Sequence, residues 1–233
     1  TDEIYAALRG EPLLARKKQC IENCARHKIG VTLVPTLVPG VNTQDIGNII
    51  RFGSALSPTV RGVHFQPVSY FGRYPEPPAN ADRFTLGELL AALPVQTNNA
   101  VKLANIAPSH CDHALCGFHS SFIVRRDGRL LAMTRRDSEG CCCGVTTAEQ
   151  NREYIGRRWQ RSGDESPCPE DADDFDKFLN EARIHSFTVT AMAFQDAYNL
   201  DIERLRQCSL HVYNEGRIVP FCARYLTLNG EQE

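Results

Sequence analysis

The sequence predicts an α/β fold in residues 1–97, followed by a cysteine-rich α+β region in residues 98–233. Helical and strand patterns alternate through the first region with short links, which favours a parallel sheet covered by helices. Signals for antiparallel hairpins occur in the second region. That region also contains most of the ten cysteines of the chain, and such a number indicates either disulfides or bound metal.

Two apolar runs in the first region predict its strands. Residues 29–38 are a continuous apolar run rich in Val, Leu and Thr, short enough to be a strand buried on both faces, and residues 60–68 predict the next strand. A helical pattern lies between them. Because a short helical crossover usually joins neighbouring parallel strands, we expect these two strands to be adjacent and parallel.

Boundary residues indicate where the helices of the first region begin and end. Gly10 and Pro12 separate the first two helices. Asn42 or Thr43 is expected to cap the helix between the two strands. Pro94 is expected to end the last helix of the region, because proline removes a backbone donor.

Turn and cap signals also organise the second region. The Asp127-Gly128 pair between two apolar runs predicts a hairpin, and residues 214–216 predict another. Thr146 and Glu149 form a capping box at the start of a helix. Further helices and strands are expected at residues 171–182, 186–194 and 201–207.

The charge of the chain excludes some classes of function. It has 26 basic and 28 acidic residues, a net charge of −2, so electrostatic binding of nucleic acid or anionic membrane is not its main activity. No apolar run approaches the roughly 20 residues of a membrane span. The sequence begins at Thr1 without a signal-peptide pattern. We therefore expect a cytoplasmic protein, represented here by a piece of a longer chain, in which metal binding explains the cysteines better than disulfides.

Four cysteines of the second region form the predicted metal site. Cys111 and Cys116 lie in loop-like sequence with C-x4-C spacing, and they need two further ligands because iron–sulfur and structural zinc sites usually take four. Cys208 follows a short helix and Cys222 follows the last strand, so the intervening hairpin should bring them together. We expect the four thiolates to hold one metal centre. Two buried cysteines or a disulfide remain the alternatives.

The adjacent triplet Cys141, Cys142 and Cys143 is a second candidate, flanked by glycines on both sides. Neighbouring side chains diverge, so three such thiols cannot bind one metal without strain. Two of them can bind metal while one stays free, or two can cycle between thiol and disulfide. The positive end of the following helix would lower the thiol pKa. Cys168 is a candidate fourth member, and a chance cluster in a solvated loop is the alternative.

The spacing C-x3-C-x2-H of Cys20, Cys24 and His27 nearly matches a loop that binds a catalytic 4Fe–4S cluster. We reject this interpretation because such a loop needs irregular backbone after a strand. Here the pattern is that of an unbroken helix, without Gly or Pro. Cys20 and Cys24 would then share one helix face and are expected to pack in the core.

Polar residues on the predicted strands indicate a binding face. His64 and Gln66 alternate with apolar neighbours, and Thr32 and Thr36 share one face of the preceding strand. Active sites of parallel barrels form at the carboxyl ends of strands, which favours Thr36 and Gln66 over Thr32. These residues either line a cleft or form hydrogen bonds within the protein.

Several segments resemble the radical SAM family. Residues 2–10 and 33–42 resemble the middle of a radical SAM barrel, and residues 63–69 resemble its last strand. The later segments resemble one branch of the family, the tetraether-synthase-like enzymes and the TrsS type of radical SAM proteins, which are often selenoproteins; these segments are Cys111, 116–119, 191–196, Cys208 and 220–222. Residues 141–143 resemble the place where relatives can carry selenocysteine.

The resemblance implies the C-terminal part of a partial (βα) barrel of the TIM type, followed by an iron–sulfur domain. The family's C-x3-C-x2-C cluster motif and the glycine-rich strand that holds the SAM amino group are absent from this sequence. By the order of elements they belong upstream of Thr1, so we expect a fragment that is inactive alone.

The resemblance also implies cofactors, partners and roles. The full protein would use S-adenosylmethionine (SAM) with a catalytic 4Fe–4S cluster, an electron donor such as ferredoxin or flavodoxin, and a small-molecule or lipid substrate. Thr36, His64 and Gln66 would line the barrel near SAM or substrate, and Cys111, Cys116, Cys208 and Cys222 would hold an auxiliary 4Fe–4S cluster. No catalytic residue is assigned. The rival hypotheses are a non-catalytic zinc or iron–sulfur module, used for structure or electron transfer, and a thiol-redox protein centred on the triplet.

Overall fold

A mixed sheet of seven strands forms the centre of the molecule in the computed structural model, which describes residues 1–72, 76–108, 113–134 and 173–226. The strands of this sheet are β1 (Val31–Leu33), β2 (Thr36–Leu37), β3 (Val60–Pro67), β4 (Ala107–Pro108), β5 (Gly117–Val124), β6 (Leu130–Ala132) and β7 (Ser186–Met192). A separate hairpin contains β8 (His211–Asn214) and β9 (Arg217–Pro220). The helices are α1 (Asp2–Arg9), α2 (Leu14–Arg26), α3 (Ile46–Ala55), α4 (Leu86–Gln96), α5 (Asp174–Ile184), α6 (Ile202–Arg206) and α7 (Phe221–Arg224).

The sheet has a parallel part and an antiparallel part. β1 and β2 pair in turn with successive parts of β3, and both pairings are parallel. β7 is also parallel to β3, whereas β5 is antiparallel to β7, and β4 and β6 are antiparallel to β5. The α/β class is therefore confirmed, and so is the parallel pairing predicted for residues 29–38 and 60–68.

Proline divides the first predicted strand in two. Pro35 lies between β1 and β2, and it has no backbone N–H to continue the ladder. Its carbonyl still accepts a hydrogen bond of 3.0 Å from the backbone N–H of Gln66, so the chain remains attached to β3 across the break.

The hydrophobic core lies between the sheet and the helices α3 and α4. Phe65 of β3 and Phe187 of β7 are fully buried on the covered face. Gly53 of α3 lies so close to this face that a Cβ at its position would be 3.3 Å from side-chain atoms of Val63 and Phe187. The absence of a side chain at Gly53 lets α3 approach the sheet. Polar side chains of the strands lie on the opposite face.

Local signals in the sequence located several elements correctly. The Asp127-Gly128 turn joins β5 to β6, and the turn at residues 214–216 joins β8 to β9. Gly10 ends α1 in the left-handed region, with φ of 79°, before α2 begins. The capping box predicted at Thr146 and Glu149 lies outside the described residues.

Two predicted helix boundaries are wrong. Asp45, not Asn42 or Thr43, precedes the first residue of α3. The side chain of Asn42 instead bridges the preceding turn, where it accepts from the N–H of Val38 at 2.8 Å and donates to the carbonyl of Thr36 at 2.7 Å. A short polar side chain can form hydrogen bonds with backbone groups of its own turn. Because Asn42 is used in this way, it is not available to cap α3.

Pro94 does not end α4, which continues to Gln96. A proline near the end of a helix removes one backbone bond, and the last turn here gains tertiary contacts that offset the loss. The side chain of Gln96 accepts from the N–H of Gly47 at 3.2 Å and donates to the carbonyl of Thr43 at 2.8 Å. These contacts attach the end of α4 to the start of α3.

The two predicted regions share one sheet. β3, which we expected to be the last barrel strand by resemblance, has β7 from the second region as its parallel neighbour. The predicted boundary between residues 97 and 98 stays a prediction. None of the helices in the described ranges is long and apolar enough to cross a membrane.

Candidate functional site at the carboxyl edge of the parallel strands

Cys116 lies at the edge of the sheet where the parallel strands end. β3 and β7 end at the same edge because they are parallel, and β5 begins there because it is antiparallel to β7. Cys116 directly precedes β5, and its carbonyl accepts a bond of 2.8 Å from the N–H of Ala193, just beyond β7. The sheet ladder therefore fixes the backbone of Cys116.

Cys208 and Cys222 are positioned by the closing contacts of the β8–β9 hairpin. The thiol of Cys208 donates to the carbonyl of Leu210 at 3.1 Å, and the same carbonyl accepts from the N–H of Phe221 at 2.9 Å. Cys222 is buried in α7, where its sulfur accepts a hydrogen bond of 3.3 Å from the N–H of Gln195. The hairpin thus lies between the two cysteines, as predicted.

Cys222 lies near enough to Cys116, Cys208 and Arg204 for their charges to act on it. Burial raises the pKa of Cys222, while the N–H of Gln195 and the charge of Arg204 act in the opposite direction. Cys208 and Cys116 add to the increase, because negative charge on either sulfur would disfavour a further negative charge on Cys222. We refer to Cys116, Cys208 and Cys222 together as the thiol group.

The donor atoms of the thiol group are those that an iron–sulfur cluster uses. Cysteine thiolates are its usual ligands, and hydrogen bonds to the sulfurs adjust its potential. Two such bonds are present, from the N–H of Gln195 to Cys222 and from Nε of Arg204 to Cys116 at 3.4 Å. Within the described ranges, no three His, Cys, Asp or Glu side chains are grouped so that they could hold a metal ion as they stand. Cys111, the remaining predicted ligand, lies outside the described residues.

Four aromatic rings pack together around Phe221, the residue that directly precedes Cys222. Phe221, which precedes Cys222, packs on Phe194 with ring centroids 4.8 Å apart and on Tyr225 at the same separation. Phe71, after β3, completes the cluster at 5.6–6.2 Å from the other three rings. Such packing excludes water from the space between the rings and lowers the dielectric constant there.

A buried ion pair holds the loops that carry these residues. Asp196 is completely buried, and both its oxygens contact the guanidinium of Arg83 at 3.0 Å. The carboxylate also accepts from the N–H groups of Tyr70 at 2.9 Å and Tyr198 at 3.0 Å. Asp196 thereby joins the loop after β3 to the loop after β7, next to Gln195.

The polar residues predicted on the strands share one face of the sheet. Thr36 and Gln66 are register partners, and His64 lies two residues before Gln66 on the same strand. Nδ1 of His64 is 2.8 Å from Oγ1 of Thr190, its register partner on β7. Burial lowers the pKa of His64, which favours the neutral imidazole. His119 pairs with Thr190 from the other side, so this row of polar side chains crosses three strands.

The sequence reasoning missed Thr190, Gln195 and Arg204. A signal for Thr190 was available, since Thr188 and Thr190 alternate with apolar residues as His64 and Gln66 do. No spacing pattern marks Gln195 or Arg204. They belong to the site because long-range pairing brings the end of β7 beside Cys116.

The two candidate cysteines of α2 are not part of the thiol group. Cys20 and Cys24 lie in α2, which confirms the helix and agrees with rejecting the cluster-loop interpretation. Their expected packing in the core is wrong for Cys20, which is exposed, because Ile21 supplies the buried side chain of this helix. Cys141, Cys142, Cys143 and Cys168 lie outside the described residues.

The chain is similar to a curated protein of Methanocaldococcus jannaschii named 7,8-dihydro-6-hydroxymethylpterin dimethyltransferase. The two are 30% identical over 284 aligned residues, which include the whole of this chain and 55% of the relative. The chain therefore spans about half the length of the curated relative that it matches. No protein-family model matches the chain. The similarity supports the predicted relationship to the radical SAM family and gives no support to the narrower TrsS or tetraether-synthase-like assignment.

Proposed function

We propose that this chain is part of a radical SAM enzyme and contributes two parts of its active site. One part is the polar face of the sheet, and the other is a set of thiolate ligands for an auxiliary iron–sulfur cluster. The observation that carries the proposal is that Cys116 and Cys222, from separate segments, both accept hydrogen bonds from the backbone just beyond β7, at the carboxyl edge of the parallel strands. Catalytic groups of parallel α/β barrels are found at this edge.

The proposed cluster ligands are Cys111, Cys116, Cys208 and Cys222. The cluster would supply one-electron chemistry. The protein would contribute the placement of the sulfurs, the N–H of Gln195 as a donor to Cys222, and the exclusion of water by the rings around Phe221.

We propose methyl transfer to a small heterocyclic compound as the reaction class, because the relative's name describes a dimethyltransferase that acts on a pterin. The polar face offers Thr36, His64 and Gln66 for contacts to SAM or substrate. A neutral imidazole and an amide can both accept hydrogen bonds from N–H groups, which heterocyclic substrates and the SAM adenine carry.

Replacing Cys222 with alanine should abolish the cluster. Wild-type protein purified without oxygen should be brown and contain about four irons per chain. The variant should lose this iron and the stability that ligation gives to the last hairpin, because binding is coupled to folding. Iron and acid-labile sulfide analyses measure the loss, and Cys20→Ala on the exposed face of α2 is the matched control.

The same measurement separates the rival functions. Zinc in place of iron would favour a structural module. Wild-type protein without metal but with fast-reacting thiols at residues 141–143 would favour a thiol-redox protein. Full iron content in the Cys222→Ala variant would contradict the proposed ligand set.

Replacing His64 with leucine should weaken binding of SAM while leaving the iron content unchanged. One lost hydrogen bond is worth about 1 kcal/mol, which corresponds to a roughly three- to tenfold higher dissociation constant. Isothermal titration calorimetry of the cluster-loaded protein measures the change. His27→Leu, at an exposed position after α2, is the control. Equal affinities of wild type and the His64 variant would remove His64 from the binding face.

A further inference from the structure

Arg204 is a half-buried cation beside the thiol group, and its position is fixed from two sides. Its Nε lies 3.4 Å from the sulfur of Cys116, and its Nη2 donates to the carbonyl of Ala193 at 2.6 Å. The same backbone segment binds Cys116, because the N–H of Ala193 donates to the Cys116 carbonyl. The guanidinium therefore cannot leave the sulfur without breaking a second short bond.

The backbone of Arg204 is held by Asp201, which is linked through Gln195 to Cys222. Asp201 caps α6, accepting from the N–H of Glu203 at 2.9 Å and from the N–H of Arg204 at 3.4 Å. The N–H of Asp201 in turn donates to the side-chain oxygen of Gln195 at 2.6 Å, and the N–H of Gln195 donates to the Cys222 sulfur. One network thus connects Arg204 with two of the three thiols.

No carboxylate in the described parts of the chain neutralises the charge of Arg204. Within the described parts of the chain it takes part in no ion pair, whereas Arg83 pairs with Asp196 and Arg206 pairs with Glu203. A partly buried arginine without an acidic partner is costly unless another negative group stabilises it. The group that Arg204 contacts instead is the sulfur of Cys116, which would carry negative charge as a cluster ligand.

We propose that Arg204 sets the reduction potential of the cluster bound by the thiol group. The inference rests on the proposed function. Reduction adds one electron and makes the cluster more negative, so a fixed positive charge and an N–H donor at a ligand sulfur stabilise the reduced state. Arg204 therefore raises the potential, and it acts through Cys116 as a positioning residue.

The test is an EPR-monitored redox titration of the cluster-loaded protein. Arg204→Gln should keep about four irons per chain and show a more negative potential than wild type. Arg204→Lys keeps the charge but cannot contact the sulfur and the Ala193 carbonyl together, so its potential should lie between the two. Arg206→Gln, on the same helix and already paired with Glu203, should leave the potential unchanged.

Equal potentials in wild type and both Arg204 variants, at equal iron content, would overturn this inference alone. If the Arg204→Gln variant loses its iron, the potential of Arg204→Lys is compared with that of wild type instead. Equal potentials of these two proteins would then overturn the inference. Wild-type protein that binds zinc or no metal would overturn both the inference and the proposed function, so the two failures are distinguishable.

Discussion

Replacing Asp196 with alanine should lower the free energy of unfolding by about 3–5 kcal/mol, because it removes one member of a buried ion pair. The guanidinium of Arg83, whose side chain is 17% exposed, would lose its bidentate partner. The N–H groups of Tyr70 and Tyr198 would lose their acceptor as well. Urea denaturation measures the change. Asp174→Ala, at an exposed ion pair of α5, should change stability by less than about 0.5 kcal/mol.

The pH dependence of stability provides a second readout for Asp196. Burial acts to raise its pKa, but the hydrogen bonds from Arg83, Tyr70 and Tyr198 outweigh that effect and lower the pKa below the usual value. A lowered pKa in the folded state stabilises the protein above the unfolded-state value of about 4, and this contribution is lost as the pH falls through the folded-state pKa. Asp196→Asn should lack this part of the acid sensitivity. The same acid sensitivity in wild type and variant would contradict the assignment.

Replacing Gly117 with alanine should separate β5 from β7 and thereby disrupt the thiol group. A Cβ at position 117 would lie 2.2 Å from the carbonyl oxygen of Ala191, and neither atom belongs to a side chain that can rotate away. Overpacking of this kind costs about 1–3 kcal/mol. Because Cys116 directly precedes Gly117, displacement of β5 should also move Cys116 and lower the iron content of the variant.

The control for this substitution is Gly87→Ala in α4. A Cβ there would meet its nearest atom, Oγ1 of Thr85, at 3.9 Å, which is an ordinary contact. Alanine also favours helix over glycine by about 1 kcal/mol, so this variant should be as stable as wild type or more stable. Thermal unfolding and iron analysis of both variants test the difference. If Gly117→Ala keeps both its iron and its stability, the site does not depend on the close approach of β5 and β7 at this position.

Features that depend on neighbouring residues could be predicted from the sequence. The Asp127-Gly128 turn and the glycine after α1 require only local backbone conformation. The alternation around His64 required only the two-residue period of a strand. Cys208 and Cys222 flank a hairpin with its own turn signal, and this hairpin was also predictable.

Features that depend on distant pairing could not be predicted. Position 64 pairs with position 190, and nothing local indicates that β7 rather than another strand lies beside β3. Arg204 and Cys116 are 88 residues apart, and their contact follows from that pairing. Pro94 is the opposite case, in which a local signal gave the wrong helix end. The contacts of Gln96 at the start of α3 stabilise the last turn of α4 beyond this proline.

The most direct test of the account is the position of iron relative to the thiol group. Crystals of the anaerobically prepared protein, measured above and below the iron absorption edge, locate the metal from its anomalous scattering. We predict one cluster bonded to the sulfurs of Cys111, Cys116, Cys208 and Cys222. Iron bound instead at residues 141–143, or a disulfide between Cys208 and Cys222, would contradict it.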